Sequence, residues 1–411
     1  MVMIKVPWAS WTEPEFREFE FPDSWEVSEG RMNNTEEISE VEIRSAVLNP
    51  IGSLKLSELA QGKIKVAIVI DDMSRPTPIY KIIPYVLEEL HNNGISKNQI
   101  TIISATGAHR PMNRHDYVLK LGREIVENYN IENHHPYENL VDLGKTKMGT
   151  PIHVNKTYYE SDLKIAIGGV IPHPLAGFGG GAKIVLPGVC GIETLYGNHS
   201  MAMKGGSGAG MGRVTEIRKD IEDTAKKVGL DFSINIILTE NGKIGGCFAG
   251  NYIKAHRKAM ELGSQVYKTK VTLDNDVAFF NLYPEDTELT QGMHKAFNFL
   301  MTAPNNMLKR YGTIAIMASC YEGRGFHSLI AETGAKLYSP VCEQIVWKAF
   351  VKRRNVYCFS EHLSKNDIDH IYGKSKVLLF KKWADLINKL TDDHGESLKA
   401  IVIPTSIQLS E

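Results

Sequence analysis

The stretch that decides the fold runs from Ile64 to Pro76, IKVAIVIDDMSRP. IKVAIVI is a continuous apolar, β-branched run of the kind buried on both faces of a sheet, and it ends in Asp71-Asp72. After the MSRP loop, Thr77 can cap a helix with Pro78 at its first position, and Ile79, Ile82, Ile83, Val86, Leu87 and Leu90 recur at helical spacing. Pro84 is expected to bend that helix, and Asn92-Asn93-Gly94 stops it. ITIISA (100–105) is a second buried strand leading into TGAHRPM, a helix is expected over about 113–129, and LKIAIGGV (163–170) is a third strand. Alternation of strand and helix predicts right-handed crossovers and a mostly parallel sheet. DDMSRP, TGAHRP and HPLAGFGGGAK then lie beyond the carboxyl ends of the strands, where ligands of such sheets gather.

A second series, VAFFNL (277–282), TIAIMAS (313–319), VYCFS (356–360), KVLLF (376–380) and AIVIP (400–404), predicts another α/β unit, and the polar region 263–275 is the expected hinge. The length of 411 residues suits two domains. The expected architecture is therefore α/β, with two domains each built on a mostly parallel sheet flanked by helices and an active site in the cleft between them. Residues 1–268 are expected to form the cofactor and catalytic domain and 269–394 the C-terminal α/β domain, with 395–411 returning to the first.

Composition narrows the function. With 47 Lys plus Arg against 48 Asp plus Glu, net charge -1, no global field draws the chain to nucleic acid or an anionic membrane. At 43% hydrophobic and 23% charged it reads as a globular protein. The 5 cysteines are scattered and never spaced Cys-x-x-Cys, which argues against a disulfide framework or a thiolate zinc site. The N-terminal MVMIKVPWASWTEPEF lacks the apolar core of a signal peptide, so a cytoplasmic location is expected.

The most unusual segment is GFGGGAK, 177–183. A phosphate-cradling P-loop needs Gly-Lys-Ser/Thr at its end, whereas here Ala182 precedes Lys183 and Ile184 follows. A dinucleotide fingerprint is nominally met by Gly177, Gly179 and Ala182, but residues 172–177 intervene after the strand and no strand-ending acid stands at the right distance. What remains is a glycine run whose amides can approach an anion, with Lys183 just after it and His173 before it. A tight surface turn is the plain alternative for one such loop. Asp71, Asp72, Arg75, His109, Arg110, His173 and Lys183 converging on one sheet edge favour an active site. His134-His135 lies in a polar stretch and is expected to be solvated surface, and His199 follows the glycine loop by about one short helix.

DDMSRP (71–76), TGAHRP (106–111), HPLAGFGGGAKIVLPGV (173–189) and GNH (197–199) occur together in an order and spacing that resembles the nickel-dependent lactate racemase family, over nearly the whole chain. The resemblance implies nickel held by a pyridinium-3,5-bisthiocarboxylic acid mononucleotide, a pincer cofactor joined covalently to Lys183 and built by separate maturation proteins. It implies that His199 is a nickel ligand, that His109 and His173 are the acid/base pair, and that Asp72, Arg75, Gly179, Gly180 and Gly181 lie at the cofactor, with Arg75 also near substrate. One imidazole beside soft sulfur donors suits nickel. The activity implied is racemisation or epimerisation of a 2-hydroxy acid by hydride transfer.

Departure from the family is expected in TQGMHKAFN (290–298), where His294, Lys295 and Asn298 stand as candidate substrate contacts. Their polarity predicts a substrate more polar than lactate, such as a sugar acid or malate-like acid. An NAD-dependent 2-hydroxyacid dehydrogenase and a non-catalytic nucleotide- or nickel-binding protein stay open as alternatives, as does a homodimer.

Overall fold

The computed structural model describes residues 1–12, 15–204 and 211–410. It forms two compact units, one of Thr35–Val266 and one that joins Met1–Asn34 to Tyr267–Glu411. No helix among the described residues is long and apolar enough to cross a membrane.

The first unit is built on a six-stranded sheet in the order Ile244–Gly250, Phe232–Leu238, Leu163–Gly169, Val66–Asp71, Ile100–Ala105, Asn130–Asn133. All neighbours are parallel except the outermost Phe232–Leu238 and Ile244–Gly250 pair. All six residues of Val66–Asp71 are buried, as a strand covered on both faces requires. Each buried Val or Ile there contributes about 1.5 to 3 kcal/mol of transfer free energy. From this strand the chain builds outward first through Ile100–Ala105 and later through Leu163–Gly169 on the other side. That reversal makes a topological switch point beside Asp71.

Local structure departs from the sequence reading where prolines and glycines act. The segment after Thr77 is a short 3-10 turn, Ile79–Lys81, and the α-helix is Ile83–Asn92. Pro84 sits in its first turn and starts the helix instead of bending it, because its missing N–H falls where no intrahelical partner exists. The helix expected over 113–129 is two, Arg114–Leu121 and Arg123–Asn128, broken at Gly122 with φ 88°.

The second unit carries a fully parallel sheet in the order Leu378–Phe380, Asn355–Phe359, Leu308–Met317, Asn275–Asn281, Lys399–Ile403, Glu26–Glu29. Both expected domain ends are corrected by this sheet. The N-terminal residues do not join the first unit, because Glu26–Glu29 pairs with Lys399–Ile403 and the hairpin of Val2–Pro7 and Phe16–Phe21 packs aromatic rings on the sheet, Phe21 lying 5.3 Å from Phe279. The last residues do not return to the first unit, because Lys399–Ile403 is hydrogen-bonded between Asn275–Asn281 and Glu26–Glu29. Val277 and Phe279 belong to one core layer and Ala278 and Phe280 to the other, the period of two that covers both faces.

Candidate active site

The site grows from the end of Val66–Asp71. Asp71 accepts hydrogen bonds from Thr77 Oγ1 at 2.6 Å and from the Gly169 amide at 2.9 Å, which ties this strand end to its neighbour across the switch point. Its other oxygen lies 2.7 Å from Nζ of Lys120, a side chain with no solvent exposure. The Lys120 ammonium also donates to the carbonyls of Asp72, at 3.0 Å, and Arg75, at 2.7 Å. Burial pulls Lys120 below the usual lysine range, and the charges of Asp71 and Asp72 oppose that pull. One buried cation thus fixes both ends of the Asp72–Arg75 turn.

That turn presents Asp72 to His109, which arrives four residues beyond Ile100–Ala105. Asp72 Oδ2 lies 2.7 Å from His109 Nδ1, and the other carboxylate oxygen accepts the Ser74 amide at 3.0 Å and the Ser74 hydroxyl. Burial alone would raise the Asp72 carboxyl. The charge and hydrogen bond of His109, then Arg75 and Ser74, overcome it and hold Asp72 well below the usual carboxylate range. An ionised Asp72 can only accept, so Nδ1 of His109 carries a proton toward it, and Nε2 is the nitrogen through which the ring would take up or give up a second one.

His173 lies in the short hairpin of Pro172–His173 and Gly177–Phe178 that follows Leu163–Gly169. Its Nδ1 accepts the amides of Leu175 and Ala176, both at 3.2 Å, so the neutral ring carries its proton on Nε2. The glycine run follows. Gly180 and Gly181 have φ of 69° and 56°, which only glycine adopts readily. A Cβ on Gly181 would also lie 2.9 Å from the His256 ring.

Two amides of the run are engaged within the protein: that of Gly179 donates to Ile171 O at 2.8 Å and that of Gly181 to Asn235 Oδ1 at 2.8 Å. Lys183 stands on the ensuing 3-10 turn, Gly181–Ile184.

His199 closes the group from the helix Ile192–Ser200. Its Nδ1 donates to Leu195 O at 2.9 Å, which leaves Nε2 as the nitrogen for a ligand. The ring is pushed down to about 4, first by burial and then by the charge of Lys183, with His109 adding to the push and the Leu195 bond opposing it. His199 is therefore neutral at pH 7, as a metal ligand must be. Lys183 and His109 are thus both within electrostatic reach of His199. Among the described residues, no three His, Cys, Asp or Glu side chains gather into a metal cage. A neutral imidazole with Nε2 open, with no surrounding cage of protein ligands among the described residues, fits a metal held mainly by a cofactor of the kind the family resemblance implied.

Comparison with known proteins decides the family. Residues 13–212 match the lactate racemase N-terminal domain. The chain is 34% identical over 297 residues to a lactate racemase of Lactiplantibacillus plantarum, covering 70% of this chain and 68% of that one. It is 32% identical over 288 residues to the lactate racemase of Thermoanaerobacterium thermosaccharolyticum, covering 69% of this chain and 66% of the relative. The solved lactate racemase apoprotein of that organism superposes over 100% of both chains with TM-score 0.78 and 25% identity. The chain belongs to the lactate racemase family. It is an isomerase of the racemase class. A Thermotoga maritima protein, 18% identical with TM-score 0.66 over 92% of this chain and 99% of that one, shares the racemase's fold.

The candidates in the second unit of the racemase are committed within that unit. His294 is half-buried with its ring 5.9 Å from Trp347 and is pushed down to about 4 by desolvation, against a hydrogen bond from Gln344. Lys295 forms an ion pair with the buried Glu285. Asn298 is buried in the helix Lys295–Thr302. His134, expected at the surface, is 2% exposed and bonds Cys190 O at 2.9 Å through Nε2, because it follows directly on the edge strand Asn130–Asn133 and turns inward.

Sequence reading missed Lys120, Ser74 and Arg218. For two of them a signal was present. Lys120 falls on the buried face of its helix with Tyr117 and Leu121, and Arg218 falls beside Ile217, Ile221 and Ala225. A lysine or arginine on the apolar side of an amphipathic helix is a buried cation in need of partners.

Proposed function

We propose that the racemase inverts the α-carbon of a 2-hydroxy acid, with Lys183 carrying and His199 helping to hold a nickel-pincer pyridinium mononucleotide, and with His109 and His173 moving the hydroxyl proton. The observation that carries this reading is the Asp72–His109 pair, at 2.7 Å, beside a His199 that feels the charges of both His109 and Lys183. Bound there, such a cofactor would supply a reversible hydride acceptor, which spares the protein from removing a barely acidic α-hydrogen as a proton.

The residues do the rest. The Arg75 guanidinium, braced by the Ser74 carbonyl at 3.2 Å, offers a cation for the substrate carboxylate. His109 accepts the hydroxyl proton at Nε2 while Asp72 stabilises the imidazolium through Nδ1. For inversion the hydride would have to return to the opposite face of the flat 2-oxo acid, and the oxygen would take its proton from His173, which gives it up as an imidazolium and so first releases the Leu175 and Ala176 amides from Nδ1. For the other enantiomer the direction reverses. The cofactor's maturation proteins are the partners this reading needs. Lys295 is paired with Glu285 inside its unit, which weakens the argument for a substrate more polar than lactate, and the reading is set at the class of 2-hydroxy acids.

The test is pre-steady-state reduction of the loaded enzyme by single enantiomers of lactate, malate and gluconate. His109→Ala and His173→Ala should each lose racemisation by about 10²- to 10⁴-fold and show opposite enantiomer preference in the half-reaction. Loss of the same enantiomer in both variants would refute the two-base assignment.

A further inference from the structure

The glycine loop is shaped from behind by a buried arginine that no part of the proposed chemistry uses. Arg218, on the helix Glu216–Val228, has no solvent exposure. Its Nε donates to Ala176 O at 3.1 Å and its Nη1 to Gly180 O at 3.2 Å. Its Nη2 donates to Phe178 O and, at 3.4 Å, to Gly179 O. Four carbonyls within five residues of chain thus turn toward one guanidinium. His256, on the helix Lys254–Val266, adds a bond from Nε2 to Gly179 O at 2.7 Å.

Burying a guanidinium is costly, and the usual compensation is a carboxylate. Here the nearby Glu222 carboxylate is held in two bonds, of 2.7 and 2.9 Å, by Arg257. The hydrogen bonds of Arg218 go to main-chain carbonyls instead. Burial pulls Arg218 down to about 10, so it stays charged at neutral pH. The left-handed Gly180 and Gly181 follow from this arrangement, since carbonyls that face Arg218 force the chain through conformations other residues resist. The loop leaves Arg218 at Gly180, and the Lys183 amide bonds back to Gly180 O at 3.1 Å. The last carbonyl gripped by Arg218 is therefore also the start of the turn that carries Lys183.

We propose that Arg218 is a positioning residue for Lys183: its planar fork fixes Ala176, Phe178, Gly179 and Gly180 and thereby aims the lysine for attachment of the cofactor. This rests on the reading of Lys183 as the point of attachment. The role belongs to the shape of the fork as well as its charge, because a lysine ammonium is a point donor that cannot span four carbonyls.

The test uses the full chain expressed with the cofactor-maturation proteins, comparing wild type with Arg218→Met, Arg218→Lys and His256→Gln. Two quantities are read: amide hydrogen exchange of residues 176–184 against the rest of the chain, and the rate of mass gain at Lys183. Both Arg218 variants should lose protection locally in 176–184 and attach the cofactor about tenfold or more slowly, the scale at which misplacing a reacting group is felt. His256→Gln, which cuts one carbonyl bond, should change both in the same direction by less, and it decides the matter if the Arg218 variants do not fold. Wild-type exchange or wild-type attachment in a folded Arg218→Met, or full rescue by Arg218→Lys, overturns the proposal. A wild-type protein that gains no mass at Lys183 sinks the tether instead, and local exchange in 176–184 still decides whether Arg218 holds the loop.

Discussion

At the carboxyl edge of one parallel sheet the central strand ends in Asp71-Asp72, and at that of the other, Asn275–Asn281 leads into Glu285 and Asp286. The acidic residues are alike in type and burial, and their partners differ. Asp71 and Asp72 hold Lys120 and His109, and the surrounding loops bring Arg75, Lys183 and His199. Asp286 accepts the amides of Ala9 at 2.9 Å and Ser10 at 3.0 Å, and Glu285 pairs with Lys295. The carboxylates shift accordingly. Asp72 is held low by the charges facing it, while Asp286, met by neutral amides, is pushed up by burial. The titratable His109 and the further groups around it are what single out the first edge as the proposed catalytic one.

The sharpest break between the edges is expected in activity. Asp72→Asn should cost about 10²- to 10⁴-fold in racemisation, since the amide no longer holds the imidazolium of His109, with cofactor attachment intact. Full activity in folded, loaded Asp72→Asn would remove the distinction between the two edges.

Next come the buried ammoniums. Lys120→Met leaves Asp71 uncompensated and should destabilise the fold by about 3 to 5 kcal/mol in denaturant titration. It should also lower activity, because the carbonyls of Asp72 and Arg75 lose their common anchor. Lys295→Met removes the ion pair of the buried Glu285 and should destabilise in the same direction, with activity per folded molecule unchanged. A folded Lys295→Met with lost activity would show that the second edge takes part in catalysis.

Two desolvated histidines set a smaller, pH-dependent effect. His134 and His294 are both pushed down to about 4, chiefly by burial. Their folded values lie below the unfolded one, so the unfolded state binds more protons between about pH 6.5 and 4, and stability falls as pH falls through that window. At pH 5 each should cost about 2 kcal/mol relative to neutral pH. His134→Gln or His294→Gln should flatten the profile, and an unchanged slope would contradict the burial. Asp72 acts above its unfolded value and loses its contribution as pH falls through its depressed folded one; Asp286, raised, loses its contribution as pH rises.

The smallest effect is expected for Asp286→Asn, roughly 1 kcal/mol, because the amide oxygen can keep one of the two backbone bonds. Racemisation by the folded protein should not change.

Much of the first edge was legible because its signals are local. IKVAIVIDD reads as a buried strand with acids at its exit, and the loops after it follow from strand order. The second edge is less legible because TQGMHKAFN looks polar in sequence, whereas Trp347, which packs near the His294 ring, and Glu285, which pairs with Lys295, are distant in the chain or lie a full loop upstream. The N-terminal strand was assigned to the wrong unit for a similar reason: its partner, Lys399–Ile403, lies at the other end of the chain. The glycine run was visible, but its purpose was not. Periodicity shows that Arg218 faces inward, and only the fold shows that it meets four carbonyls of the loop.

The central claim is that the edge at Asp71-Asp72 carries the chemistry through Lys183 and His199. The measurement that meets it most directly is intact mass together with nickel content after expression beside the maturation proteins. The account predicts a covalent mass gain at Lys183 with one nickel per chain, lost in Lys183→Ala, and nickel strongly reduced in His199→Ala. Full nickel content in a Lys183→Ala, His199→Ala double variant, or a mass gain on any other residue, would contradict it.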